Sequence, residues 1–342
     1  MTEDEPMKHG LFVCQKLTTD YAIIEQHLIS ITGGMMLYSS NKNHARIGYL
    51  YILLAGALWG ISGIFITHLS RLEMSNAMVT FSSLFTTSIV LGVIVWFKSG
   101  WQGFKLSRRG LGLMLILGVF SKGLFKMAYD GAMILTGVAT GTILLYLSPF
   151  FVSIMSAILF KEKITLEKFI ALCINLIGCI LVVTGGRLTA LEISALGVLL
   201  GILSGILYAL MTIIGILAGE DDTPPWTSTF YMTFFGLLTT IPFAQPWKYA
   251  QVFTVPTYWW YSISFALLPG TISNFLFLNG LTYPIEASKA QIVASVEVIV
   301  ATLVGVLYFK ESLNYVSLIG IAIMLASIVL MNMQPSNSKP AL

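Results

Sequence analysis

The sequence predicts an all-α integral membrane protein with ten transmembrane helices, arranged as two inverted five-helix repeats. Three observations predict this fold class: the composition, a succession of long apolar runs, and a motif that returns once along the chain. Of the 342 residues, 56% are hydrophobic and only 10% are charged, whereas about 25% of the residues of a soluble domain are charged. Most of the chain is therefore predicted to lie in membrane spans.

The first 46 residues precede the first apolar run and do not form a signal peptide, because their start is acidic and no apolar core follows. Two interpretations remain open. The segment is either a cytoplasmic tail or upstream sequence included by a wrongly chosen start, and Met35-Met36 just ahead of the first run favours the second. An intact mass of the natively expressed protein that includes residues 1–34 would reject the artefact.

From Ile47 onward, apolar runs of about 20 residues alternate with short polar junctions. Each run is long enough to cross a hydrocarbon core of about 30 Å. Tryptophans near the ends of the runs fit an aromatic belt at the membrane surface. The predicted spans are 47–67, 76–97, 110–134, 137–160, 166–184, 194–218, 226–245, 258–281, 285–309 and 314–333.

The distribution of lysine and arginine predicts the orientation. With the N-terminus inside, ten of these residues lie in inner flanks and four in outer flanks. Because cytoplasmic flanks carry the excess of positive charge, both termini are predicted to be cytoplasmic.

Two motifs indicate an internal repeat. Phe160-Lys161-Glu162 returns as Phe309-Lys310-Glu311, and Gly131 pairs with Gly280 at the same spacing of 149 residues. The halves are predicted to be 47–185 and 194–333, followed by a tail at 334–342. Since five spans is an odd number, tandem halves must enter the membrane in opposite orientations.

The first and sixth spans also share a pattern of small residues. Gly56 and Gly60 are echoed by Gly201 and Gly205. Glycines at this spacing let two helices approach closely.

Together these residues resemble the EamA branch of the drug/metabolite transporter superfamily over about residues 47–333. The resemblance implies ten helices in two inverted five-helix bundles and transport of small metabolites, commonly outward. Members often carry Glu-Pro where this chain has Glu297-Val298, so a proline-induced break in the ninth span is not expected. The residues that carry the resemblance are Leu58-Trp59-Gly60, Leu147-Ser148-Pro149, Phe160-Lys161-Glu162, Ala287-Ser288-Lys289-Ala290, Ser295-Val296-Glu297 and Phe309-Lys310-Glu311-Ser312.

Lys122 and Glu297 are the charged residues predicted nearest the middle of the membrane. A charge within a span is costly and tends to face a cavity or a partner. The hypothesis is that both face one central cavity, as an ion pair or as a pair opened by substrate. The structural alternative is an ion pair between the halves that never meets the substrate.

Lys126 lies one helical turn from Lys122, and two like charges at that spacing repel each other unless an acid lies between them. A substrate carboxylate or the side chain of Asp130 can supply the acid. Asp130 and Glu297 are also candidates for proton coupling, although Asp130 lies near enough to the outer interface to be simply solvated.

Further polar and aromatic positions complete the candidate site. Ser148-Pro149 is expected to bend the fourth span and free a backbone carbonyl, which either lines the site or shapes the bundle. Trp59 either stacks on the substrate or packs between helices. Lys289 and Glu286 are predicted at the cytoplasmic start of the ninth span, with Lys289 extending to water. Interhelical hydrogen bonds are assigned to Asn175, Asn274 and Asn279, and an anchoring role at the membrane boundary to Lys161-Glu162 and Lys310-Glu311.

Motifs for other chemistry are missing from the sequence. It contains no nucleotide-binding loop, no His-Glu-x-x-His motif and no nucleophile elbow. Basic residues lie at span ends and are not interleaved with aromatic residues, which argues against nucleic acid as a partner. We therefore predict no catalytic residues, no metal, no cofactor and no enzymatic activity.

The predicted function is secondary, non-ATP transport of a small polar metabolite, amino-acid-like or carboxylate-bearing, by alternating access. The predicted location is the plasma membrane, and efflux is the favoured direction. The lipid bilayer and the small-molecule substrate are the predicted partners, and a homodimer is a further candidate assembly. The alternatives are a flippase for a lipid-linked carrier and a membrane enzyme or scaffold subunit.

Overall fold

A computed structural model describes residues 44–187, 194–221, 224–310 and 314–333, without the side chains of 137–139, 332 and 333. The described residues form helices and no strand. The N-terminal segment up to residue 43, the second-half motif from Glu311 and the tail 334–342 lie outside the described residues. The predictions made for them therefore remain predictions.

The described helices overlap the predicted spans. Eight of them, α1–α6, α8 and α9, are long and apolar enough to cross a membrane. Helices α7 and α10 fall outside this group, so the predicted number of ten spans is supported for eight. The bounds are α1 His44–Ser70, α2 Asn76–Ser99, α3 Arg108–Thr136, α4 Thr140–Leu159, α5 Leu166–Thr184, α6 Ala195–Glu220, α7 Pro225–Ala244, α8 Pro256–Leu281, α9 Ala287–Leu307 and α10 Tyr315–Met333.

Helices α3 and α8 are distorted at matching positions of the two halves. Each contains a π-helical turn, at Val119–Leu124 in α3 and at Ala266–Ile272 in α8. These turns overlap when the chain is shifted by the repeat spacing of 149 residues. Because π-helical turns occur frequently at functional sites, the two turns direct attention to the middle of the bundle.

Helices α4 and α9 are interrupted at matching positions as well. Helix α4 is interrupted at Tyr146 and Leu147, directly before Ser148-Pro149, and α9 at Ser295. The ninth span is thus interrupted without a proline, as the Glu297-Val298 sequence led us to expect no proline-induced break. At the interruption the Ser295 hydroxyl lies 2.6 Å from the Ile292 carbonyl and 2.9 Å from Oδ1 of Asn175, and serine hydroxyls can compete for backbone hydrogen bonds in this way.

Glycines bring the first helix of each half against the other half. A Cβ atom on Gly56 would lie 2.6 Å from the carbonyl oxygen of Ala294 in α9. A Cβ atom on Gly201 would lie 2.7 Å from Cβ of Leu144 in α4. Any side chain would thus force the helices apart, so the small-residue patterns serve the close approach predicted from them.

Candidate functional site

A cavity of about 800 Å³ lies between the two halves. This volume is within the range of about 300–1,000 Å³ that is typical of small-molecule sites. Residues from all ten described helices line it, so neither half forms it alone. The lining extends to the exposed residues Arg187 and Asn314, beside the last turn of α5 and the first turn of α10. We call this side of the bundle the open end.

Lys122 lies in the π-helical turn of α3 and lines the cavity. Its ammonium group donates to Oδ1 of Asn274 at 2.7 Å and lies 5.7 Å from the ring centre of Trp59. Among the described residues, no carboxylate lies within 4.0 Å of it. The positive charge is therefore held by an amide and an aromatic face, with no acid bound to it directly.

Lys126, one turn further along α3, also lines the cavity but has a direct acidic partner. Its ammonium group forms an ion pair with Asp130, and it lies 5.5 Å from the ring centre of Tyr129. Asp130 is buried and is not part of the cavity lining. Of the two predicted ways to relieve the repulsion between Lys122 and Lys126, the geometry shows the internal counterion.

Glu297 follows the interruption of α9 and faces the same cavity as Lys122. The hydroxyl group of Tyr208 donates to its Oε2 at 3.5 Å, and Tyr146 faces the same carboxylate. The two predicted charges thus share one cavity and interact across it without a close ion pair. One wall carries a cation and the opposite half of the molecule supplies an anion.

Aromatic rings form much of the remaining wall. Trp59 lies 6.5 Å from Tyr208 and 5.0 Å from Phe277, measured between ring centres. Phe125 stacks on Tyr208 at 5.4 Å and on Tyr129 at 6.0 Å. Trp59 therefore packs between helices and also lines the cavity, while its stacking on a substrate stays a prediction.

Ser148 and Pro149 are buried but are not among the residues that line the cavity. The Ser148 hydroxyl accepts a hydrogen bond from Nε2 of Gln291 at 3.2 Å, and the Oε1 atom of Gln291 accepts one from Thr212 at 2.6 Å. These bonds join α4, α9 and α6 behind the cavity. Both were predicted to contact the substrate, but their buried position outside the cavity lining fits the alternative role of shaping the bundle.

The sequence analysis did not assign several residues of the cavity. Tyr208, Tyr146 and Thr302 line it, although apolar neighbours hide them in the sequence. The interhelical hydrogen bond expected of Asn274 is confirmed by its contact with Lys122, but its position on the cavity wall was not predicted. No signal in the sequence marked this position, because Lys122 is 152 residues away along the chain.

A buried cluster of charges closes the side of the bundle opposite the open end. Lys168 in the first turn of α5 forms an ion pair with Glu286, and Nζ of Lys289 lies 3.5 Å from Oε1 of Glu286. The exposed fractions of Lys168, Glu286 and Lys289 are 4%, 1% and 2%. Helix α5 has 19 residues, so this cluster lies about 28 Å from the open end.

Two further residues connect this cluster to α1 and α4. The carboxylate of Glu162 accepts hydrogen bonds from the backbone N–H of Ala287 at 2.9 Å and from the hydroxyl of Ser288 at 3.1 Å. The Tyr49 hydroxyl accepts one from the backbone N–H of Glu286 at 3.1 Å. We call Tyr49, Glu162, Lys168, Glu286 and Lys289 the closed-end network, and none of them lines the cavity.

This network corrects two predictions. Lys289 does not extend to water, because it is buried beside Glu286. Glu162 is more than a boundary anchor, since it binds the N-terminal turn of α9, where unpaired backbone N–H groups favour an anion. Lys168 was counted only for orientation, because its partner Glu286 is 118 residues away in the sequence.

Comparison with known proteins agrees with this architecture. The model of the EamA-like transporter family matches residues 46–184 and again residues 195–333. An uncharacterized transporter from Archaeoglobus fulgidus is 29% identical over 286 residues, covering 83% of this chain and 96% of that protein. The uncharacterized inner membrane transporter YicL from Salmonella typhimurium is 27% identical and covers 84% of this chain and 96% of that protein.

Two more relatives extend the comparison. The uncharacterized transporter YwfM from Bacillus subtilis is 24% identical, covering 85% of this chain and 96% of that protein. A protein crystal structure superposes with a TM-score of 0.68 at 15% identity, over 84% of this chain and 96% of that chain, which shows the shared fold. Because the family model matches both halves, the chain is a membrane transporter that belongs to the EamA-like transporter family.

Proposed function

We propose that the protein is a secondary transporter for small polar metabolites that carry a carboxylate, with amino acids and similar molecules as the leading class. The observation that carries this proposal is the charge distribution in the cavity. Lys122 presents a positive charge without a bound acid, while Glu297 presents a carboxylate from the other half. A molecule with a carboxylate and an amine matches both charges in one orientation.

Transport by alternating access is supported by the contrast between the two ends. The cavity opens beside Arg187 and Asn314, whereas the closed-end network joins helices of both halves on the opposite side. For the cavity to become accessible from the opposite side, the contacts of the closed-end network must break while the helices at the open end move together. The matching interruptions of α4 and α9 supply hinges for such a motion.

The proposed topology has ten spans in two inverted halves. Helices α7 and α10 contain 20 and 19 residues, and about 20 residues suffice to cross the hydrocarbon core. With ten crossings both termini lie on one side, and the lysine and arginine distribution places that side in the cytoplasm. The cavity then opens outward in this conformation.

The proposed location is the plasma membrane, with export as the direction. The relative from Salmonella typhimurium that is named an inner membrane transporter supports this location. The sequence resemblance described above supports export.

Counterflow in reconstituted vesicles tests the proposed function. Vesicles preloaded with a panel of unlabelled metabolites receive trace labelled amino acids, carboxylic acids, amines and sugars one at a time. We expect transient accumulation of carboxylate-bearing labels and none in vesicles that lack the protein. Accumulation of sugars or simple amines alone would reject the proposed substrate class.

A flippase for a lipid-linked carrier is the second candidate, and a specific feature favours it. A smaller cavity of about 150 Å³ adjoins the same two lysines, Lys122 and Lys126, and its other walls are mainly apolar. An acyl chain in that cavity would place an acidic headgroup near the lysines. Protection of a fluorescent lipid-linked probe from an external quencher, without counterflow of soluble metabolites, would favour this function.

A further inference from the structure

Asn274 holds Lys122 in a manner that the sequence does not reveal. It lies in α8, two residues after the π-helical segment, and the residue is 6% exposed. Its Nδ2 group donates to the carbonyl oxygen of Gly270 and lies 3.5 Å from that of Pro269. Because carbonyl oxygens only accept and the ammonium group of Lys122 only donates, the amide must turn its oxygen toward Lys122.

The choice of an amide at this position has an electrostatic consequence. Asn274 Oδ1 accepts one hydrogen bond from Lys122 but carries no net charge, so the charge of the lysine persists in the cavity. The other half-buried or buried lysines described above are paired with acids, Lys126 with Asp130 and Lys168 with Glu286. An aspartate in place of Asn274 has nearly the same shape and would complete the same pairing for Lys122.

We propose that Asn274 determines the charge selectivity of the cavity. It positions Lys122 without neutralising it, so that the carboxylate of the substrate becomes the missing counterion. Asn274 is thus a positioning and specificity-determining residue that acts through Lys122. This inference rests on the proposed transport of carboxylate-bearing molecules.

Uptake of two matched mixtures tests the proposal. One contains the labelled protein amino acids, and the other the same amino acids as α-amides, which lack the α-carboxylate. We expect wild-type protein in vesicles to prefer the acids. We expect Asn274→Asp to lose acid uptake by at least about tenfold while amide uptake persists or rises, because each 1.4 kcal/mol of lost attraction is a factor of ten.

A second variant covers the case in which Asn274→Asp does not fold. Asn274→Leu removes the hydrogen bond but leaves the charge of Lys122 in place. We expect a several-fold higher acid concentration for half-maximal uptake, with the preference for acids over amides retained. Asn279→Asp, the same chemical change elsewhere on α8, is the matched control and should keep wild-type selectivity.

The possible failures are distinguishable. If wild-type protein transports acids and both Asn274 variants retain its selectivity and half-maximal concentration, the role of Asn274 is rejected. If wild-type protein transports neither mixture, the proposed substrate class fails. The role of Asn274 is then tested by the rate at which Lys122 is chemically modified. We then expect Asn274→Asp to slow modification of Lys122 by trinitrobenzenesulfonate at least about tenfold in peptide mapping, and an unchanged rate overturns the inference.

Discussion

The central cavity and the closed-end network both contain charged residues inside the bundle, but they differ in whether each charge has a partner of opposite sign. In the network, Glu286 lies beside two lysines, and Glu162 binds the start of α9. In the cavity, Lys122 is held by an amide and an aromatic ring and has no acid within 4.0 Å among the described residues. In the network the buried lysines have acidic partners. In the cavity Lys122 has none within 4.0 Å among the described residues, so we propose that a substrate carboxylate binds it.

On the proposed function, this difference separates charges that stabilise the fold from charges that bind the substrate. Removing one member of a buried ion pair leaves its partner without compensation, which costs about 3–5 kcal/mol. Removing a charge that pairs only with a bound substrate should change the stability of the fold little and weaken substrate binding much more. Variants in the two regions should therefore fail in different assays.

The largest effect is expected for Glu286→Gln in the closed-end network. It leaves Lys168 and Lys289 buried beside a neutral amide, so we expect a loss of about 3–5 kcal/mol in stability. Thermal unfolding in detergent and the yield of monodisperse protein measure it. The matched control is Glu167→Gln, which changes an exposed glutamate directly before Lys168 on α5. Equal melting temperatures for the two variants would show that the network does not hold the bundle closed.

The next largest effect is expected for Lys122→Met in the cavity. A hydrogen bond to a charged group contributes about 1.5–3 kcal/mol, so we expect acid counterflow to fall roughly tenfold to a hundredfold. The melting temperature should change little, because the lysine neutralises no acid directly. Lys163→Met, an exposed lysine between α4 and α5, is the control. Normal transport with an unchanged substrate range would reduce Lys122 to a structural residue.

Glu297→Gln sharpens the comparison within the cavity. Glutamine has nearly the same shape but cannot release a proton, so a coupling role for Glu297 predicts a selective defect. We expect accumulation driven by an imposed proton gradient to disappear, while exchange counterflow without a gradient stays within about threefold of wild type. If the variant still accumulates substrate in response to the gradient, coupling must lie elsewhere, and Asp130 is the remaining candidate.

The smallest effect is expected for Asp130→Asn. Its ion pair with Lys126 joins neighbouring turns of one helix, and the two side chains are 12% and 27% exposed. The pair lies within one helix, so its loss breaks no contact between helices, and Lys126 remains partly exposed on the cavity wall. Both the melting temperature and acid counterflow should remain near wild type, apart from a modest gain in acid binding by the released Lys126. A defect as large as that of Lys122→Met would place Asp130 in the transport pathway.

The sequence predicted the helical class, the eight helices that are long and apolar enough to cross a membrane, and the position of Lys122 and Glu297 on one cavity. These features follow from local composition and from the cost of charge in the membrane, which a sequence displays directly. The closed-end network was missed because Lys168 and Glu286 come from different halves and meet only after folding. The interruption at Ser295 was missed because a hydroxyl that competes for a backbone carbonyl has a weaker signature than proline.

The contact between Asn274 and Lys122 could not be predicted from the sequence. The distance of Asn274 from the lysine, 152 residues along the chain, gives no hint of contact. The π-helical turn that exposes the carbonyl of Gly270 to its amide is a backbone feature, and composition does not reveal it. The structure was therefore needed to show that the interhelical hydrogen bond expected of Asn274 is made to Lys122 at the cavity.

The accessibility of one cavity position from each side of the membrane tests the central claim most directly. Thr302→Cys in a variant without the native cysteines places a thiol on the cavity wall, and Leu303→Cys, which lies outside the cavity lining and is 44% exposed, is the control. With a membrane-impermeant thiol reagent applied to vesicles of either orientation, alternating access predicts modification of Thr302→Cys from both sides and of Leu303→Cys from neither. Modification of Thr302→Cys from one side only, under all conditions, would contradict the account.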